Sequence, residues 1–192
     1  AVNTNVIGSY NVIETAIKNN ISKLIALSTD KSVYPLNAMG LTKSLMEKTI
    51  ISESKVNKDS NTDLILVRYG NVMFSRGSVI PLIIKNIKEN KSIPITNSEM
   101  TRFLIPLEKA INLVSYAIKY GKNGDILIHK SNACNILDLA EVLIDIFKSK
   151  SKIKIIGKRK GEKIHEILAT EEELQNSLNK KDYIIIKNKN KN

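Results

Sequence analysis

The sequence predicts an α/β fold: the second half of a doubly wound parallel sheet, with a smaller α/β cap. Three observations carry this prediction. Two short apolar runs, Leu24-Ile25-Ala26-Leu27 and Leu64-Ile65-Leu66-Val67, have the length and continuity of strands covered on both faces. Helical patterns precede and separate them, and helix, strand, helix, strand is the order of a parallel sheet with right-handed crossovers. The first run ends in four polar residues, Ser28-Thr29-Asp30-Lys31. That carboxyl edge is where open α/β sheets take their ligands.

The elements follow in order. Val6, Tyr10, Ile13 and Ile17 recur at helical spacing, predicting a helix over Val2–Asn19. The central strand comes next. A second helix runs from about Asn37, its candidate cap, to Lys55; Met39 and Lys43 share one face of it. A polar loop leads to the strand Leu64–Tyr69. Beyond Arg76, a helix is predicted over Ser78–Glu89, with Pro81 tolerated in its first turn. Short strands are predicted at Ile93–Thr96 and Thr101–Ile105, then an amphipathic helix over Leu107–Tyr120. A strand at Asp125–His129, a helix at Ile136–Phe147, a strand at Ile153–Ile156 and a short helix ending near Leu168 complete the pattern. The expected organisation is residues 1–75 as the sheet half, 76–173 as a cap interleaved with the main sheet, and 174–192 as a polar C-terminal tail.

Bulk properties narrow the function. The chain has 192 residues, 42% of them hydrophobic and 26% charged, a globular composition. No apolar run reaches the length of a membrane span, and no signal peptide is visible. The single Cys134 excludes an intrachain disulfide and fits a reducing compartment. His129 and His165 lack metal-ligand spacing, so no metal is expected. The net charge of +11 raises a polyanion surface, but the lysines are scattered and no basic helix is interleaved with aromatics. A solvated lysine-rich surface, not a nucleic-acid partner, is the expectation. Arginine is confined to positions 68, 76, 102 and 159 although lysine is plentiful, and its planar fork suits carboxylates and phosphates.

Six segments then carry a resemblance: Thr4-Asn5-Val6-Ile7-Gly8, Leu27-Ser28-Thr29-Asp30-Lys31, Arg68-Tyr69-Gly70-Asn71-Val72, Ser75 through Pro81, Met100-Thr101-Arg102-Phe103 and Gly161-Glu162-Lys163. In this order they resemble the extended short-chain dehydrogenase/reductases, specifically the inverting UDP-N-acetylglucosamine 4,6-dehydratases of surface-polysaccharide synthesis. The capsule-synthesis (CapE-like) branch resembles the chain further in Val33-Tyr34-Pro35-Leu36-Asn37-Ala38-Met39-Gly40. Most relatives carry a tyrosine where Met39 stands, with a lysine four residues on. Here the lysine is Lys43, and a thioether cannot exchange the proton that a phenol would.

The resemblance implies an NAD(P)-binding Rossmann-like fold, an NADP (or NAD) cofactor, UDP-N-acetylglucosamine as substrate and a cytoplasmic enzyme that is a homo-oligomer at full length. The implied reaction oxidises C4, eliminates water across C5 and C6, and returns hydride to C6 with inversion at C5. Matching the family motif, Lys31 is the implied base, Asp30 the acid, and Lys43 completes the catalytic set. Leu27, Ser28 and Lys43 are implied at the cofactor. Thr29, Asn71, Val79, Pro81, Arg102, Arg159 and Glu162 are implied at the substrate, with Arg102 and Arg159 facing its diphosphate.

Two other readings stand beside this one. A UDP-sugar 4-epimerase on the same scaffold returns hydride to C4 and needs no acid at C6. An inactive fragment or basic binding module is the third. A nucleotide-binding half opens with a glycine-rich turn after a strand, and the eight glycines here supply none. About 100 further residues are therefore expected upstream of Ala1, roughly one such half, and no turnover is expected from this piece alone.

Overall fold

A computed structural model describes residues 1–188. A π-helical turn, Asn3–Ile7, leads into α1 (Gly8–Lys18), β1 (Lys23–Thr29), a single 3-10 turn (Asp30–Ser32), α2 (Ala38–Val56) and β2 (Asp63–Tyr69). There follow β3 (Asn71–Val72), α3 (Val79–Lys88), β4 (Ile93–Ile95), β5 (Thr101–Ile105), α4 (Leu107–Tyr120) and β6 (Ile126–His129). The chain continues through β7 (Ala133–Asn135), α5 (Ile136–Ile146), β8 (Ile153–Ile155), α6 (Glu171–Gln175), β9 (Ser177–Asn179) and β10 (Tyr183–Ile186).

Two compact units result. The first holds Ala1–Tyr69, Glu108–Lys130 and the chain from Ile167 onward; the second holds Gly70–Leu107 and Ser131–Glu166. The cap expected at 76–173 thus begins earlier, at Gly70, and gives 108–130 and 167–173 to the first unit.

The first unit is built on a five-stranded sheet in the order β1-β2-β6-β10-β9. β1, β2 and β6 are parallel, as the alternating element order requires, whereas β10 runs antiparallel to β6 and to β9. Strand periodicity sorts the core. Leu64 and Leu66 of β2 face Ile13 of α1 and Met46 and Ile50 of α2. The alternate residues Ile65 and Val67 face Leu113 and Ala117 of α4. Arg68 has the parity of Leu64 and Leu66, so it enters the α1–α2 side where the apolar run stops.

Several expectations change. Among the described residues β1 is the outer strand of the sheet, and Leu27 is 47% exposed. Residues 174–192, expected as a polar tail, supply β9 and β10; Ile185 and Ile186 are buried, and positions 189–192 of that tail lie outside the described residues. The helix expected to end near Leu168 does not form. The carbonyl of Ile164 instead accepts from the Thr101 N–H, which ties this backbone to β5.

The second unit packs α3 and α5 around a core of Ile80, Ile83, Ile87, Ile93, Ile95, Met100 and Ala140. It carries a three-stranded sheet, β3-β5-β7, and the parallel pair β4–β8.

Candidate active site

The site in the first unit begins where β1 ends. Thr29 is the extended cap of the 3-10 turn, and the turn closes with the Val33 N–H donating to the Asp30 carbonyl at 3.2 Å. Asp30 is completely buried. Its Oδ1 accepts from the Lys31 ammonium at 2.9 Å and from the Thr29 hydroxyl at 2.8 Å. Its Oδ2 is buried and has no hydrogen-bond partner. A buried carboxyl oxygen in that condition is placed to accept from a ligand's donor. The Lys31 side chain is 27% exposed, while the carboxyl it pairs with is fully buried.

Lys43 stands on α2, and its ammonium donates to the Leu27 carbonyl at 2.9 Å, anchoring the helix to the strand that carries the pair. Burial lowers the Lys43 pKa, against an opposing pull from the Glu47 carboxylate. Met39, one turn earlier, is exposed. Close approach of α2 depends on Gly40: a Cβ there would run into the Lys31 carbonyl oxygen and crowd Pro35. Asn37 caps the helix by accepting from the Gly40 N–H at 3.0 Å.

The six first-unit residues Leu27, Ser28, Thr29, Asp30, Lys31 and Lys43 are thus gathered at one strand end. Ser28 is buried, with its hydroxyl 3.4 Å from that of Ser32. This group fits the nicotinamide end of a dinucleotide on its donor chemistry. An ammonium has three N–H donors, more than the Leu27 carbonyl and the Met46 sulfur at 3.7 Å take up. The described residues offer no glycine-rich turn for a pyrophosphate.

The remaining expected residues lie in the second unit. Arg102 is buried and spends its guanidinium inward: Nη1 donates to the carbonyls of Thr101 and Ile164 at 2.7 and 3.0 Å, and Nη2 to that of Lys163 at 3.0 Å. It also pairs with Glu162 at 3.6 Å. The Glu162 carboxylate accepts in turn from the Arg159 backbone N–H at 3.4 Å. Arg102 and Glu162 are therefore paired in this unit, and Arg159 meets Glu162 through its backbone N–H. Val79, the first residue of α3, packs on the apolar core; Pro81 lies two positions on and Asn71 sits in β3.

Three residues escaped sequence reasoning: Ser32, Glu47 and Glu173. Ser32 Oγ lies 2.7 Å from Glu47 Oε1. Glu47 receives Arg68 at two points, Nε to Oε1 at 3.1 Å and Nη2 to Oε2 at 2.7 Å. Arg68 reaches Glu173 at two further points, each 3.0 Å, and the Leu168 carbonyl at 2.8 Å. Burial pushes the Arg68 pKa down, but the Glu47 and Glu173 carboxylates outweigh it and raise the guanidinium above its ordinary value. The usable signals were an arginine in register with the apolar face of β2 and the capping pattern Thr170-x-x-Glu173. Among the described residues no cluster of His, Cys, Asp and Glu could hold a metal ion, and no helix is long and apolar enough to cross a membrane.

The fold is one shared with solved nucleotide-sugar dehydratases and epimerases. It superposes on a dTDP-glucose 4,6-dehydratase from Bacillus anthracis in complex with NAD with a TM-score of 0.77, at 18% identity, over 89% of this chain and 60% of that one; this is a likeness of fold alone. The family profile described as polysaccharide biosynthesis protein matches residues 1–188, and the chain belongs to that family. It is 51% identical over 183 residues to a UDP-glucose 4-epimerase of Rickettsia canadensis (strain McKiel), covering 95% of this chain and 54% of that protein. It is 38% identical to Pen from Bacillus thuringiensis, whose X-ray structure it matches with a TM-score of 0.90 over 95% of this chain and 58% of that one. The chain spans about half the length of the curated relatives it matches.

Proposed function

We propose that the full-length protein oxidises C4 of a UDP-linked hexose with the help of NAD or NADP, and that its first reading is UDP-sugar 4-epimerisation. The Asp30–Lys31 pair, set at a strand end beside Lys43, is the observation that carries C4 chemistry. The 51% identity to a UDP-glucose 4-epimerase supports the epimerase above the dehydratase expected from the sequence. The bound dinucleotide supplies a reversible hydride acceptor. The protein has to do the rest. Lys43 holds the nicotinamide end of the cofactor through its remaining ammonium donors. Lys31, acting as the neutral amine, takes the proton of the C4 hydroxyl to become an ammonium and gives it back, a task the Met39 thioether cannot perform. Thr29 orients the hexose. Among the residues expected at the substrate, Asn71, Pro81 and Arg159 remain the proposed contacts for the UDP moiety, since Arg102 donates to backbone carbonyls and Val79 packs on the apolar core.

A second reading has its own observation. Epimerisation at C4 requires one group that removes and restores one proton. Here a second proton carrier, Asp30, is buried with Oδ2 unpartnered. A buried acid beside a base suits elimination of water, with Lys31 taking the C5 proton and Asp30 protonating the departing C6 hydroxyl. That is the 4,6-dehydratase inverting C5 of UDP-N-acetylglucosamine, as in capsule synthesis.

One experiment separates the two. The full-length protein is incubated in deuterated water with UDP-glucose or UDP-N-acetylglucosamine and either dinucleotide. Product of unchanged mass with C4 inverted supports the epimerase. Loss of water with deuterium at C5 supports the dehydratase. Recovery of only the starting sugars overturns both.

A further inference from the structure

We infer that Ser32, Glu47 and Arg68 are positioning residues that fix the turn carrying the Asp30–Lys31 pair. The inference rests on reading that pair as the proton-transfer groups. The turn is only Asp30–Ser32, closed by one backbone hydrogen bond of 3.2 Å from Val33 to Asp30. Ser32 does the holding. Its buried hydroxyl lies 2.6 Å from the Thr29 carbonyl oxygen, at the start of the turn, and 2.7 Å from Glu47 Oε1. The single hydroxyl proton is shared between these two acceptors, which places the Ser32 side chain between the start of the turn and α2. Glu47 is fixed in turn by the two-point contact from Arg68.

The five N–H donors of Arg68 are all used. Nε goes to Glu47, Nη2 to Glu47 and Glu173, and Nη1 to Glu173 and the Leu168 carbonyl. This leaves the guanidinium, and hence Glu47, a single orientation. Burying the Glu47–Arg68 pair, with a partly exposed Glu173 against it, is a costly way to fill a core, and apolar side chains of similar volume often serve as well. The expense falls beneath the one turn where small displacements matter. An error of about 1 Å in a reacting group is enough to lose on the order of 10²-fold in rate. Glu173 belongs to α6 and receives the Thr170 N–H at 2.8 Å in a capping box, so the C-terminal segment of the unit joins the same chain of contacts.

The test uses Ser32→Ala and Ser32→Thr in the full-length protein, with two readouts. In the first, steady-state kinetics on the UDP-sugar substrate, Ser32→Ala lowers kcat by roughly 10- to 100-fold with KM within about twofold, and Ser32→Thr restores most of it. The second readout needs no turnover: reductive methylation of lysines, quantified residue by residue by peptide mass spectrometry. Ser32→Ala raises labelling of Lys31 selectively against the other lysines. Glu47→Gln, which keeps the side-chain shape, gives the same selective rise if Ser32→Ala does not fold. Wild-type kcat in Ser32→Ala, or Lys31 labelling unchanged in the folded variants, overturns the inference. A wild-type protein that turns over no UDP-sugar overturns the proposed function instead, and the labelling comparison still decides the relay.

Discussion

Arg68 and Glu47 meet as a buried two-point ion pair, with Nε–Oε1 at 3.1 Å and Nη2–Oε2 at 2.7 Å. The strand parity that sends Leu64 and Leu66 into the core sends Arg68 into the same face, and α2 answers with an acid. Removing one partner strands the other charge. Arg68→Met is expected to cost about 3–5 kcal/mol, because Glu47 and Glu173 are both left unpaired. Arg68→Lys recovers only part of this, since an ammonium cannot reproduce the fork. Urea denaturation of the folded protein measures both; a loss under 1 kcal/mol for Arg68→Met contradicts the clamp.

The Glu173 carboxyl gives the clamp a pH dependence. Burial alone would raise its pKa, but hydrogen bonds and charge from Arg68 hold it below the ordinary glutamate value. With the folded pKa below the unfolded one, the unfolded state binds more protons in between, so stability is gained as pH rises through that window. The contribution is complete above the ordinary value of 4.5 and is lost as pH falls through the folded value. Urea midpoints of wild type and Glu173→Gln should therefore differ at neutral pH and converge in acid. A constant difference across the range contradicts the assignment.

Lys43 shows the opposite balance. Its ammonium is disfavoured by burial, so the folded protein gains stability as pH rises toward the ordinary lysine value of 10.5. Lys43→Met should leave stability at neutral pH equal or slightly higher while weakening dinucleotide binding at least tenfold. Fluorescence quenching with the reduced cofactor, beside a urea titration, reads the two effects separately. Unchanged cofactor affinity contradicts the role given to Lys43.

Gly40 is the tightest point between α2 and the turn. Gly40→Ala places a Cβ against the Lys31 carbonyl, and backbone does not yield cheaply. A loss on the order of 1–3 kcal/mol is expected, within the range for overpacking. Chemical denaturation checks it, and a neutral substitution contradicts the close approach.

Much of this was legible in the sequence. The apolar runs of β1 and β2 and the polar quartet after Leu27 located the strand end and the Asp30–Lys31 pair, because both signals are local. What escaped was nonlocal. Tyr183-Ile184-Ile185-Ile186 is an apolar run, but it is short and sits among lysines, and only its pairing with β6 makes it a strand. Residues 163–164 were expected to lead into a helix, yet their carbonyls serve Arg102. Arg102 itself was expected to face a diphosphate; a sequence displays a guanidinium without showing which acceptors reach it first. Glu47 gave the least warning, because a glutamate one turn after Lys43 reads as ordinary helix surface until Arg68 is seen across from it.

The central claim is oxidation at C4, and a deuterium placed at C4 of the UDP-hexose tests it most directly. After turnover by the full-length protein, the label should have been moved: to C4 of the inverted sugar if the enzyme is an epimerase, or to C6 of a 4-keto-6-deoxy sugar if it is a dehydratase. Product formed with the deuterium still at C4 in its original configuration would contradict the account.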